Sequence, residues 1–135
     1  MISKHITIKE ATFSATATRL GIDNIPTAEH LACMKLVAEK CFEPLREWYK
    51  KPIRINSFYR GSKLNKAVKG SLSSQHCKGE AIDMDAGSIE ENKKIFEWCK
   101  ANLNFDQLIF EFGGEWIHIS YTNKKPNRKQ ILFIN

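Results

Sequence analysis

Residues 105–121, Phe-Asp-Gln-Leu-Ile-Phe-Glu-Phe-Gly-Gly-Glu-Trp-Ile-His-Ile-Ser-Tyr, read as two strand-like pieces, 105–111 and 116–121, on either side of a Gly113-Gly114 turn. Branched and aromatic residues bounded by glycine are the ordinary signature of sheet. Working outward, residues 80–85 (Glu-Ala-Ile-Asp-Met-Asp) alternate in the same way, Ile53 and Ile55 alternate with Arg54 and Asn56, and 130–134 adds a last strand-like piece. Ahead of these lie helical spacings. Leu31, Met34, Ala38, Cys41, Phe42, Leu45 and Trp48 recur every three or four residues, predicting a helix over 27–48 with Thr27 as its N-cap. Ser88 with Glu91 forms a capping box for a helix to about 102, with Ile95, Phe96, Cys99 and Leu103 inward. A short helix is expected near 63–68, between glycine- and serine-rich loops. A helix-rich front and a strand-rich rear give an α+β fold, a small and largely antiparallel sheet with helices packed on it. One domain over residues 1–135 is expected, with no repeat or linker.

Composition narrows the class. A chain of 135 residues with 42% apolar and 27% charged residues can form a core and does not read as disordered. No apolar run approaches the roughly 20 residues needed to span a bilayer. The N-terminus shows no Sec-type signal, so synthesis in the cytoplasm and delivery by another route are expected. Cys33, Cys41, Cys77 and Cys99 form no Cys-x-x-Cys pair, and reduced thiols are expected. The net charge of +6 suggests an anionic partner, either nucleic acid or bacterial cell wall. The one local basic cluster is Lys124, Lys125, Arg128 and Lys129, and no nucleic-acid module accompanies it.

Ionisable residues in unusual places carry the chemistry. His76 lies in a Ser/Gly-rich loop and Asp83 on the strand that follows, with Gly79 allowing the turn between them. Asp85 shares the face of Asp83, so either could ligate a metal. His118 sits within an apolar strand, where an imidazole needs a partner: a backbone carbonyl, or a metal shared with His76 and Asp83. Three protein ligands with a fourth position open is the catalytic form of a zinc site. Such a site needs a carboxylate to take and return a proton. Glu115 is the first choice and Glu111 the second. In a regular strand Glu115 and His118 would face opposite ways, unless Glu115 sits in the turn beside Gly113-Gly114. Arg60 ends Asn56-Ser57-Phe58-Tyr59-Arg60 at a strand-to-loop junction, where its fork could bind a carboxylate or stabilise an oxyanion.

Taken together, Ser74-x-His76-x-x-Gly79-x-Ala81-x-Asp83, Glu115-Trp116-Ile117-His118 and Ser57-Phe58-Tyr59-Arg60 resemble the zinc D-alanyl-D-alanine carboxypeptidase and phage L-alanyl-D-glutamate endopeptidase family, in its compact phage- and prophage-type branch. The resemblance runs from about residue 10 to 121. It implies a hedgehog-like α+β fold, one Zn²⁺ held by His76, Asp83 and His118, Glu115 as catalytic base and Arg60 on the substrate. Ser57, Tyr59, Ser74 and Gln75 become candidate substrate contacts. The implied partner is a peptidoglycan stem peptide, cut by a monomeric metallopeptidase acting on the wall after release, or as a virion or prophage component. No nucleic-acid partner is implied. Where some members carry a histidine two positions before the last ligand, this chain has Trp116. The alternative reading is a metal-stabilised wall-binding or phage structural module on the same fold, without turnover.

Overall fold

The alternating stretches form a five-stranded sheet in the computed structural model of the chain, which describes residues 1–135. The strands are β1 (Arg54–Ser57), β2 (Ala81–Asp85), β3 (Gln107–Glu111), β4 (Trp116–Ser120) and β5 (Gln130–Phe133). Their order across the sheet is β1-β2-β4-β3-β5. All neighbours are antiparallel except β3 and β5, so the expected largely antiparallel sheet has one parallel edge. The helices are α1 (Ile8–Thr12), α2 (Ala15–Leu20), α3 (Ala28–Val37), α4 (Glu43–Tyr49), α5 (Ser62–Ala67) and α6 (Ile89–Asn102). No helix is long and apolar enough to cross a membrane.

The period of two divides the sheet into an apolar and a chemical face. Ile82, Met84, Leu108, Ile117 and Ile119 point into a core completed by Met34, Val37, Cys41, Phe42 and Leu45 from the front helices and by Ile95, Phe96 and Cys99 from α6. The intervening residues, Asp83, Ile109, Glu111, Trp116 and His118, line an open cleft on the other face. All four cysteines are free thiols, and burial raises those of Cys41 and Cys99.

The helix expected over 27–48 is interrupted. Residues Ala38–Phe42 form a π turn, with the Glu43 N–H reaching back to the Ala38 carbonyl. Pro44 explains it: proline has no N–H and its ring crowds the carbonyl four residues earlier. One widened turn makes that room and lets the apolar stripe continue into α4. Helices α1 and α2 escaped the sequence reading because each is shorter than two turns and amphipathic periodicity needs more length to register. Side-chain caps hold them instead, from Thr7 and Ser14.

Two fastenings position the site. Buried Asn92 of α6 donates to Asp85 Oδ1 (3.0 Å), to the Gly114 carbonyl (2.9 Å) and to the Glu115 carbonyl (3.1 Å), and accepts from the Ala86 N–H (2.7 Å). It thereby ties the end of β2 to the β3–β4 turn. Gly79 has φ +75°, and a Cβ there would stand 2.6 Å from the His30 carbonyl oxygen and 2.7 Å from Met34 Cγ. At the N-terminus, Ser3 and His5 both close on Glu43, with His5 Nδ1 2.6 Å from its carboxylate.

Gly79→Ala combines left-handed strain with a clash against α3 and should cost about 2–4 kcal/mol, read as a lowered urea midpoint. For Glu43, burial pushes the carboxyl up but hydrogen bonds from Ser3 and His5 outweigh it, leaving the group below its ordinary value. A depressed folded value means stability that is full above the ordinary carboxyl pKa of about 4.3 and lost as pH falls through the folded value. Glu43→Gln should therefore lower stability by about 1–2 kcal/mol at pH 7, and the gap between variant and parent should narrow as acid melts are carried below the ordinary carboxyl range.

Candidate metal centre

The β2–β4 register sets Asp83 directly opposite His118. Asp83 Oδ1 lies 3.0 Å from His118 Nδ1, and Oδ2 lies 3.2 Å from His76 Nε2. His76 arrives from a short 3₁₀ turn, Gln75–Lys78, that the Ser74 hydroxyl caps and Gly79 terminates. Its Nδ1 donates to the Phe58 carbonyl at 2.8 Å, which turns Nε2 toward Asp83. The two imidazoles meet edge to face, with centroids 5.2 Å apart. One ligand atom from each of His76, Asp83 and His118 can be chosen so that all lie within 4.8 Å of one another.

Both histidines are buried, and Nε2 of each is without a hydrogen-bond partner, the 3.2 Å approach of His76 Nε2 to Asp83 being a charge contact only. An orphaned buried polar atom costs about 1–3 kcal/mol, so two beside one carboxylate need an explanation. A divalent metal ion supplies it, because two imidazole nitrogens and a carboxylate oxygen are an ordinary donor set. Burial would raise the Asp83 carboxyl, but the facing His76 charge and the hydrogen bond from His118 hold it well below the usual carboxylate range. It remains a charged ligand at any working pH.

A sequence model of the family described as Peptidase M15 matches residues 4–120. The chain belongs to the peptidase M15 family. Among curated proteins none matches it. The match takes in every strand but β5 and all residues of the triad, and the His76, Asp83 and His118 cluster is compatible with a peptidase of this family.

The cleft of this M15 family member has a volume of about 760 Å³, and Ile109 and Trp116 are its only apolar lining. Arg60, Ser74 and Gln75 line it, as does Glu111. Ser57 and Tyr59 do not. Ser57 is the register partner of Asp83 on edge strand β1, and Tyr59 is buried against His30 with ring centroids 5.1 Å apart. Asp85 is also turned aside, bound to Asn92 and to the Gly87 N–H, so the alternation that left two aspartates open as ligands resolves to Asp83.

The two candidate bases separate cleanly. Glu115 sits in the turn after Gly113-Gly114, exposed and outside the cleft lining. Glu111 is half-buried at the end of β3, on the same sheet face as His118. Burial and the Asp83 charge push its carboxyl up, while His118, His76 and the nearby Trp116 indole pull it partway back. Arg60 faces the cleft with its Nε buried and unpartnered.

Sequence reading missed Glu80, a carboxylate only 3% exposed on the cleft wall. An acidic residue at the mouth of an apolar strand was the available signal. Asp83→Ala should abolish stoichiometric zinc uptake by elemental analysis. Saturating zinc should raise the thermal midpoint of the unmodified chain, by about 2.7 kcal/mol of stabilisation at a hundredfold excess over Kd, and leave that of the variant where it was.

Proposed function

We propose that this chain is a zinc-dependent peptidase that hydrolyses a peptide bond in the stem peptide of bacterial peptidoglycan, either as a D-Ala-D-Ala carboxypeptidase or as an L-Ala-D-Glu endopeptidase. The observation that carries the reading is one half-buried carboxylate, Glu111, in the same cleft as the His76, Asp83 and His118 triad. Family membership supports it, and the polar lining of the cleft suits a peptide better than an apolar ligand. A phage- or prophage-type role in wall lysis fits the three ordered motifs.

His76, Asp83 and His118 would hold the ion, and their donor set favours zinc among common divalent metals. Zinc bound there supplies Lewis acidity and makes water acidic near neutral pH. Glu111, rather than Glu115, then takes the proton of the attacking water on its carboxylate and passes it to the leaving amine nitrogen. Its raised pKa suits this double duty, since a base that must also act as an acid works best near the ambient pH. Arg60 directs its fork at a substrate carboxylate or at the carbonyl under attack, and Ser74 and Gln75 border the same space. Trp116 and Ile109 give the peptide its only apolar footing.

Digests of purified peptidoglycan, analysed by mass spectrometry with and without chelator, test the reading. New termini at D-Ala-D-Ala, or between L-Ala and D-Glu, should appear only without chelator. Glu111→Gln should lower kcat by about 10²–10⁴-fold with zinc content intact, a far larger loss than Glu115→Gln produces. The opposite ranking would return the proton role to Glu115. A zinc-loaded parent chain that cuts no wall peptide would sink the peptidase reading in favour of a metal-stabilised binding module.

A further inference from the structure

The basic cluster singled out in the sequence takes no part in the chemistry above, yet it forms one end of the cleft. After β4 the chain makes a loop, residues 121–129, before entering β5. Lys124, Lys125 and Arg128 from this loop line the cleft. At the other end, β4 begins at Trp116, whose register partner is Glu111. The sheet face is thus polarised, with the carboxylate Glu111 at one end, the histidines and Asp83 between, and cations at the other.

Loops rich in lysine are ordinarily loose, but this one is fastened at both ends. The Thr122 hydroxyl donates to Glu80 Oε2 at 2.9 Å, and Glu80 Oε1 accepts from Gln75 at 3.3 Å. Asn127 closes the loop on itself, accepting from the Thr122 N–H at 3.0 Å and donating to the Thr122 carbonyl at 3.1 Å. Asp106, fully buried, takes the Arg128 N–H and Nε at 3.0 Å each and Nη2 at 2.7 Å. Burying a carboxylate is costly unless it is well partnered. Here two of them, Glu80 and Asp106, are spent on holding a surface loop still. Asp106 engages one edge of the Arg128 guanidinium, and the arginine side chain is still 46% exposed. Lys124 makes an exposed contact with Glu29, and Lys125 acts on Asp106 through its charge alone. A loop backbone held in this way lowers the ordering cost of binding an anion.

We infer that the Thr122–Arg128 loop is an anionic subsite of the cleft, which selects peptides carrying a free carboxylate near the scissile bond. Strand β4 rises roughly 3.3 Å per residue, so Ser120, where the strand ends and the chain turns toward the loop, lies about 7 Å beyond His118. The substrate class rests on the peptidase reading, whereas binding of the anion does not.

The probes are two synthetic stem peptides, L-Ala-γ-D-Glu-L-Lys with the glutamate α-carboxyl free or amidated. Calorimetry on the zinc-loaded full chain carrying Glu111→Gln, which halts turnover, should show the free acid binding about tenfold tighter. Adding Lys124→Gln and Lys125→Gln should bring that ratio close to one, whereas Lys93→Gln with Lys100→Gln, the same loss of two charges on the exposed side of α6, should keep it. Hydrolysis by the chain with Glu111 intact should show the same ratio in KM more than in kcat. Equal binding of both peptides, or a preference that survives the double lysine change, overturns the subsite. If the preference is present and neither peptide is cut, the anionic subsite stands and the L-Ala-D-Glu endopeptidase form of the peptidase reading fails. If both are cut without preference, the reverse holds.

Discussion

Everything at this site depends on the pairing of Asp83 with His118 across β2 and β4. A one-residue slip of either strand would send its ligand into the core and bring Met84 or Ile117 to the cleft. The register is held from behind, because Ile82, Met84, Ile117 and Ile119 are all completely buried. The energy that fixes the metal centre is therefore hydrophobic and lies on the opposite face of the sheet. His76 is the one ligand not covered by this guarantee, and a separate set of contacts secures it: the Phe58 carbonyl, the Ser74 cap and a glycine pressed against α3.

Much of this was legible in the sequence. Alternation marked β2, β3 and β4, and a histidine inside an apolar strand stood out because it could not be satisfied locally. The loop–strand join from His76 to Asp83 was visible as a run of short-range constraints. The choice between Glu111 and Glu115 was not, since it depends on where a turn ends and on which face a strand presents after it. Three of the four turn residues, Phe112, Gly113 and Gly114, adopt positive φ, and only coordinates show that Glu115 is carried away from the cleft while Glu111 is left on its wall.

The candidate substrate contacts Ser57 and Tyr59 show a second limit. Local sequence placed them beside Arg60 in one segment, but a bulge between Ile55 and Ser57 changes which side chains the edge strand offers. Arg60 alone reaches the cleft, and Tyr59 instead braces His30 near the turn that carries His76. Asn92 was equally hidden. A polar residue on the inner side of an amphipathic helix looks like a flaw in the pattern until three separate backbone and side-chain acceptors prove to converge on it.

The self-closed loop between β4 and β5 has a consequence for how such a molecule diversifies. Its fastenings reach Glu80 and Asp106, one residue outside β2 and β3 respectively, and none of them touches the triad. Its exposed residues can therefore be exchanged while the scaffold and the ligands stay in place. The chain separates the ligand triad from a replaceable wall, so lineages can explore new preferences by drift in a handful of surface codons.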